Sequence, residues 1–251
     1  MDTSVILDSG HTAWMIVATL LVFMMTIPGI ALFYGGLVRQ KNMLSLVMQS
    51  LAIAGVVSIL WVVFGYSLAF GTGYEGSGFF KYGIGGFDKV MLNGIGLDTL
   101  TATGQPLRDT TAPYPGIPEM LFVMFQCMFA LITPALILGA FAERVRFAGF
   151  LCFTVLWSIL VYMPMAHWVW GGGFLMEMGA VDFAGGTVVH VNAGVAALVM
   201  ALMVGRRKDY RAGRPITPHN IPFVFLGTAL LWLGWFGFNA GSGLAADGLA
   251  A

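Results

Sequence analysis

The chain has 251 residues, of which 58% are hydrophobic and 10% charged, with no formal net charge and a mean hydropathy of +0.85. That balance excludes a water-soluble domain and leaves an integral membrane protein. The expected fold is an all-α, polytopic transmembrane bundle, because crossing a hydrocarbon core takes roughly 20 apolar residues of helix, whereas a barrel needs short alternating segments that do not appear.

Residues 1–11 carry Asp2 and Asp8 and no Lys or Arg. A cleavable signal needs a basic start, so the first apolar run stays in the mature chain. That run extends over about 13–37 and the second over about 43–70, interrupted mainly by small or hydroxyl residues and Pro28. A Gly-, Thr- and Asp-rich loop follows over 71–117, which is expected to fold over a mouth or against a neighbour and shows no chemistry of its own. The third and fourth runs cover about 118–142 and 147–170, the fifth about 183–204 and the sixth about 221–241. Cys127 and Cys152 both fall inside apolar runs and read as small core residues.

Basic residues set the orientation. Arg39 and Lys41 follow the first run, Arg144 and Arg146 the third, and Arg206, Arg207, Lys208, Arg211 and Arg214 the fifth. These loops are expected in the cytoplasm, which puts the N-terminus outside. Their basic character reads as a topology signal and not as a nucleic-acid surface.

The stretch DFAGGTVVHVNAG places Asp182 at the outer rim of the fifth run, with His190, eight residues later, roughly 12 Å deeper. Asp182, Gly186, His190 and Gly194 are spaced four apart and predict one stripe along the helix. Glycines at this spacing admit a close neighbouring helix. Asp182 reads first as a helix cap. A titratable imidazole at depth faces a bundle interior or cavity and points to transport. No His, Cys, Asp or Glu lies three or four positions from His190, so a metal site is not indicated. Neither a nucleophile elbow nor a paired base supports an enzyme, and no motif implies a cofactor.

The outward ends of three runs carry aromatic residues: FQCMF with Phe125 and Phe129, AHWVWGGG with Trp168 and Trp170, and WFGFNAGS with Phe238 and Ser242. Trp168 and His167 fit an interfacial belt. Taken together, the rings predict a cage for a small cation. Cation–π contacts give about 0.5 to 2 kcal/mol each, against at least about 2.5 to 3.5 kcal/mol for a charge at the membrane centre. A cage therefore collects a cation without carrying it across. Ammonium alone among the common small cations has a further route, since desolvation favours release of its proton.

Five stretches, TIPGIALFYGGLVRQKN, GAFAERVRF, AHWVWGGG, DFAGGTVVH and WFGFNAGS, closely resemble signatures of the Amt/Mep/Rh ammonium transporters, in family order and across nearly the whole chain. The resemblance implies an outer ammonium site at Phe129, Trp170 and Ser242, a gate of Phe129 and Phe238, a pore histidine at His190, and Asp182 and Phe125 supporting the site. It implies about eleven spans in two inverted halves, so that residues 1–251 resemble one membrane domain incomplete at its C-terminus, the first half of the repeat plus the sixth span. PGIALFYGG aligns without gaps with LGWFGFNAG, sharing Gly29 with Gly234, Phe33 with Phe238 and Gly36 with Gly241, and the two runs cross in opposite directions. Further implied are a homotrimer in the inner or plasma membrane lipid bilayer, ammonium or ammonia and methylammonium as substrates, and a PII-type regulatory protein at the cytoplasmic face. An ammonium sensor that signals without conducting is the alternative.

Overall fold

The computed structural model describes residues 5–72, 82–102 and 114–251. Six helices among them are long and apolar enough to cross a membrane: Ser9–Leu37, Gln40–Phe70, Glu119–Phe141, Phe147–Glu177, Gly186–Val204 and Ile221–Ser242. The third is the axis of the bundle, 72% buried and in contact with the first, second and fifth, whereas the fifth and sixth are each only 22% buried. Its small residues Ala130 and Ala135 are fully buried, and at Gly139 a Cβ would strike the Tyr34 ring. The Tyr34 hydroxyl donates to the Leu136 carbonyl at 2.9 Å.

Four spans are not uniform α-helices. π-helical turns occupy Met25–Ile30, Trp61–Gly65, Ser158–Tyr162 and Gly186–Val191. The first contains Pro28, whose missing N–H breaks the regular ladder.

A small sheet, unexpected from the sequence, closes one end of the bundle. β1 (Val5–Leu7) runs parallel to β3 (Tyr114–Pro118), and β2 (Leu100–Ala102) runs antiparallel to β3. These strands are too short to show alternation in the sequence. Beyond β1, Asp8 caps the first span by accepting from the His11 N–H at 2.7 Å.

The opposite end carries the arginines of the basic loops, and Arg39 among them also holds loops together. Glu143, at φ +65°, lies between the third and fourth spans with its side chain only 3% exposed. Its Oε1 accepts from the Arg39 N–H and Nε at 3.0 Å each and from Asn42 Nδ2 at 2.7 Å. Arg39 Nη1 continues to Asp209 at 2.6 Å, so one guanidinium ties three loops together through two carboxylates. Burial raises the Glu143 carboxyl, but the hydrogen bonds from Asn42 and Arg39 outweigh it and hold it below its ordinary value. A depressed folded-state pKa contributes stability above the unfolded carboxyl value of about 4.3, lost as pH falls through the folded value. Glu143→Gln is expected to cost about 2 kcal/mol at pH 7. Thermal unfolding of both proteins should show that gap closing on acidification; a gap independent of pH would reject the ionic contribution.

The cysteines divide: Cys127 is buried as expected, but Cys152 is exposed on the bundle surface.

Candidate functional site

At the sheet end, the third, fourth and sixth spans bring their aromatic residues together. The fourth span reaches Trp170 and turns at once through Gly171, Gly172 and Gly173. A Cβ at Gly171 would run into the Ala69 carbonyl, and Gly172 has φ +88°, so this turn requires glycine. One turn earlier His167, 2% exposed, sets its Nδ1 3.0 Å from the same Ala69 carbonyl. The expectation of an interfacial ring is therefore wrong for His167, because a nearby backbone acceptor holds it in the interior. Trp168, half-buried, donates its indole N–H to the Gly83 carbonyl at 2.6 Å.

Asp182 precedes the fifth helix, which begins only at Gly186. Its Oδ1 accepts the N–H groups of Gly185 and Gly186 at 2.7 Å each, and its Oδ2 those of Thr187 at 2.7 Å and Val188 at 3.0 Å. One carboxylate thus satisfies four backbone donors that a helix start leaves open. Its backbone carbonyl accepts the Trp170 indole N–H at 2.8 Å. The capping reading holds, and the same residue orients the ring.

The predicted four-residue stripe does not form. Asp182 is outside the helix and Gly186–Val191 winds as a π turn, so the estimated 12 Å descent to His190 does not apply. Gly186 and Gly194 are exposed, and a Cβ at Gly194 would meet nothing. Among the described residues no helix packs on those two glycines. His190 sits in the first turn instead. Gly185, at φ +88°, points its carbonyl back to accept the N–H groups of Val189 and His190, each at 3.0 Å. The same oxygen lies 3.0 Å from His190 Nδ1. A carbonyl can only accept, so Nδ1 carries the proton, and in the neutral ring Nε2 is left with its lone pair. The half-buried imidazole rests 5.4 Å from Trp235 and 5.7 Å from Phe238, ring centre to ring centre.

Phe129 is the hub of the rings. Its centroid lies 4.9 Å from Phe125, 5.7 Å from Trp170 and 4.4 Å from Phe238. Phe125, Phe129 and Phe238 are each 1% exposed. Ser242, one turn beyond Phe238, donates to the Phe238 carbonyl at 2.8 Å.

A cavity of about 280 Å³ opens over these rings. Phe125, Phe129, Trp170, Asp182 and Ser242 all line it; Phe238 and His190 do not. Phe238 lies behind Phe129, and His190 behind Phe238. The lining combines aromatic faces with oxygen acceptors, which suits a small cation shedding water.

Further lining residues escaped the sequence reading, among them the polar Tyr66, Lys89, Glu119 and Gln126. Glu119 and Gln126 share a helix face with Phe122 and Phe129, at spacings of three and four, and that register was the available signal. Lys89 and Thr101 come from the 71–117 loop, which therefore does contribute chemistry.

The comparisons with known proteins agree with one another. A sequence model of the Ammonium Transporter Family matches residues 13–251. An ammonium transporter of Bacillus subtilis is 51% identical over 244 residues, covering 97% of this chain and 55% of that protein. One from Aquifex aeolicus is 49% identical over 248 residues, covering 98% of this chain and 53% of its own length. Among solved structures, Saccharomyces cerevisiae Mep2 superimposes with a TM-score of 0.78 at 37% identity, covering 98% of this chain and 51% of that one. A sensor Amt protein does so with a TM-score of 0.78 at 32% identity, covering 95% and 56%. The chain spans about half the length of the relatives it matches. On sequence and fold alike, the chain belongs to the ammonium transporter family.

Proposed function

We propose that this protein carries ammonium across a membrane, collecting it at Phe129, Trp170 and Ser242, stripping a proton as it is desolvated, and passing ammonia through the Phe129–Phe238 gate toward His190. The reading rests on one observation: Phe129 lines the cavity, its ring centre lies 4.4 Å from that of Phe238 at a tilt of 46°, and the Phe238 ring centre lies 5.7 Å from that of the imidazole. Aromatic faces and the Ser242 oxygen replace part of the hydration shell. The low dielectric beyond them favours the neutral amine. His190, with Nδ1–H held by Gly185, offers Nε2 as the acceptor for a proton or an ammonia N–H. Asp182 acts through Trp170 and the helix start, and Phe125 by backing Phe129.

In the same proposal the sheet end and N-terminus face outward and the arginine end faces the cytoplasm, in an inner or plasma membrane. The homotrimer, the PII-type partner and acceptance of methylammonium rest on the family resemblance.

The test uses the full-length polypeptide as its gene encodes it, reconstituted in liposomes, with ammonium uptake and proton flux followed together. His190→Leu is expected to reduce proton-coupled uptake about a hundredfold, the lower end of what a positioned proton-transfer group contributes. Uptake and selectivity unaltered by that substitution would exclude a relay at His190. Similarity to a sensor Amt protein favours one second reading, binding without conduction; saturable binding in a protein that moves neither solute nor protons would establish it instead.

A further inference from the structure

The cavity has a second polar end, away from Phe129. Glu119 opens the third span with only 7% of its surface exposed, and its Oε1 accepts the Tyr66 hydroxyl at 2.9 Å. The same oxygen carries the Lys89 ammonium group. Lys89 Nζ lies 5.6 Å from the centroid of the Tyr66 ring. Phe122, at 6.4 Å from Tyr66, and Phe70, at 5.4 Å, complete an aromatic wall around the carboxylate. The Lys89 backbone is pinned, its N–H donating to Ser67 Oγ at 2.9 Å, so its side chain is delivered to this spot by the loop.

A buried carboxylate beside an aromatic face is a complete receptor for an ammonium head group: it supplies charge-assisted acceptors for N–H donors and a negative ring face for the cation. The group that fills it is a primary ammonium, chemically the alkylated form of the cargo read for the cavity. Lys89, Glu119 and Tyr66 line the same space as Phe129, Trp170 and Ser242, so a free ammonium ion in the cavity meets both ends. Gln126 lies one turn from Phe129 along the helix face that begins at Glu119, and its buried Oε1 has no hydrogen-bond partner among the described residues.

We propose that Glu119 and Tyr66 form a second ammonium-type cation subsite, and that Lys89 occupies it as a tethered competitor. This inference rests on the reading of the cavity as an ammonium site and assigns that site a built-in restraint. A tethered group competes at an effective concentration on the order of millimolar. Scarce ammonium therefore does not displace Lys89, and collection falls to the aromatic end. Removing the lysine charge leaves a buried carboxylate that a free cation then neutralises, which adds a position before the gate.

The experiment measures ammonium-inhibitable methylammonium uptake by the full-length polypeptide in liposomes. Lys89→Met, close to lysine in length but uncharged, is expected to lower the half-saturating ammonium concentration about fivefold. Adding Glu119→Gln to Lys89→Met should abolish the gain. Should Lys89→Met fail to elute as a folded protein, Lys89→Gln, which keeps a donor toward Glu119, takes its place and should shift the same way. A folded Lys89 variant with an unchanged or raised half-saturating concentration overturns the proposal, as does a gain that survives Glu119→Gln. Absence of saturable uptake in the unsubstituted protein defeats the functional reading itself. Saturable uptake weakened by Trp170→Leu but indifferent to Lys89→Met defeats only the restraint.

Discussion

Asp182→Ala should abolish the proposed ammonium uptake of the full-length polypeptide and destabilise the fold in the same step. The carboxylate accepts from four consecutive backbone N–H groups, Gly185 through Val188, and among the described residues no other side chain accepts from them. Losing a helix cap costs about 0.5 to 2 kcal/mol, and stranding part-buried donors about 1 to 3 kcal/mol. A combined loss of about 2 to 4 kcal/mol follows, allowing for overlap between these terms. The functional loss should be larger, because two predicted site residues take their positions from this segment. Trp170 hangs from the Asp182 carbonyl at 2.8 Å and His190 from the Gly185 carbonyl at 3.0 Å. Displacement of a positioned group by about 1 Å can cost on the order of a hundredfold. Asp182→Asn keeps one acceptor oxygen but turns an NH₂ group toward N–H donors, so it should fall between the two. Liposome uptake and thermal unfolding, measured on the same preparations, decide the matter. Lost uptake with an unaltered unfolding temperature would mean that Asp182 acts directly on the substrate and not as a cap.

The second large effect is expected at Gly234. The sixth span packs along the first through Gly227, Gly234, Gly237 and Gly241, and at each a Cβ would meet the opposing helix. At Gly234 it would collide with the Met25 side chain and come within 2.7 Å of the Leu21 carbonyl oxygen. Met25 could rotate away, but a backbone carbonyl cannot. Close approach of backbones through small residues is the main source of helix association in lipid, where no hydrophobic drive exists between helices. Gly234→Leu should therefore part the first and sixth spans, at a cost of about 3 kcal/mol or more. Since Gly241 leaves room for the Phe125 ring that backs Phe129, the cavity should be lost with the interface. Size-exclusion profiles and unfolding temperatures of the purified variant test this. Rescue by Met25→Ala would locate the conflict in the side chain and contradict the backbone argument.

The restraint proposed for Lys89 and the cap at Asp182 show two uses of acidic residues that look alike in the sequence. Both stand at the start of an apolar run. Asp182 spends its oxygens on its own helix, whereas Glu119 turns its carboxylate to Tyr66 and Lys89. Side-chain length contributes to this: aspartate reaches back to nearby backbone N–H groups, while glutamate extends past them.

Much of the architecture was legible without coordinates. Six apolar stretches define six helices because hydrophobic length is a sum over neighbouring residues, independent of the rest of the fold. Phe125, Phe129, Trp170, Asp182 and Ser242, which line the cavity, stand in motifs at the ends of those runs, and the family resemblance is what assigned them to a site. The sequence could not say which way each helix faces. Apart from the Glu119–Gln126 face of the third, these spans are largely apolar all round, so little in the pattern distinguishes an inner from an outer side. Rotation and crossing therefore come from tertiary packing: glycines at the first–sixth interface, a π turn at Gly186 and a carbonyl beside His167. That packing sent His167 inward, removed Asp182 from the His190 stripe and brought Lys89 to Glu119 across 30 residues of chain. Local hydrophobicity fixes what enters the membrane; hydrogen bonds and steric fit between distant residues decide what meets there.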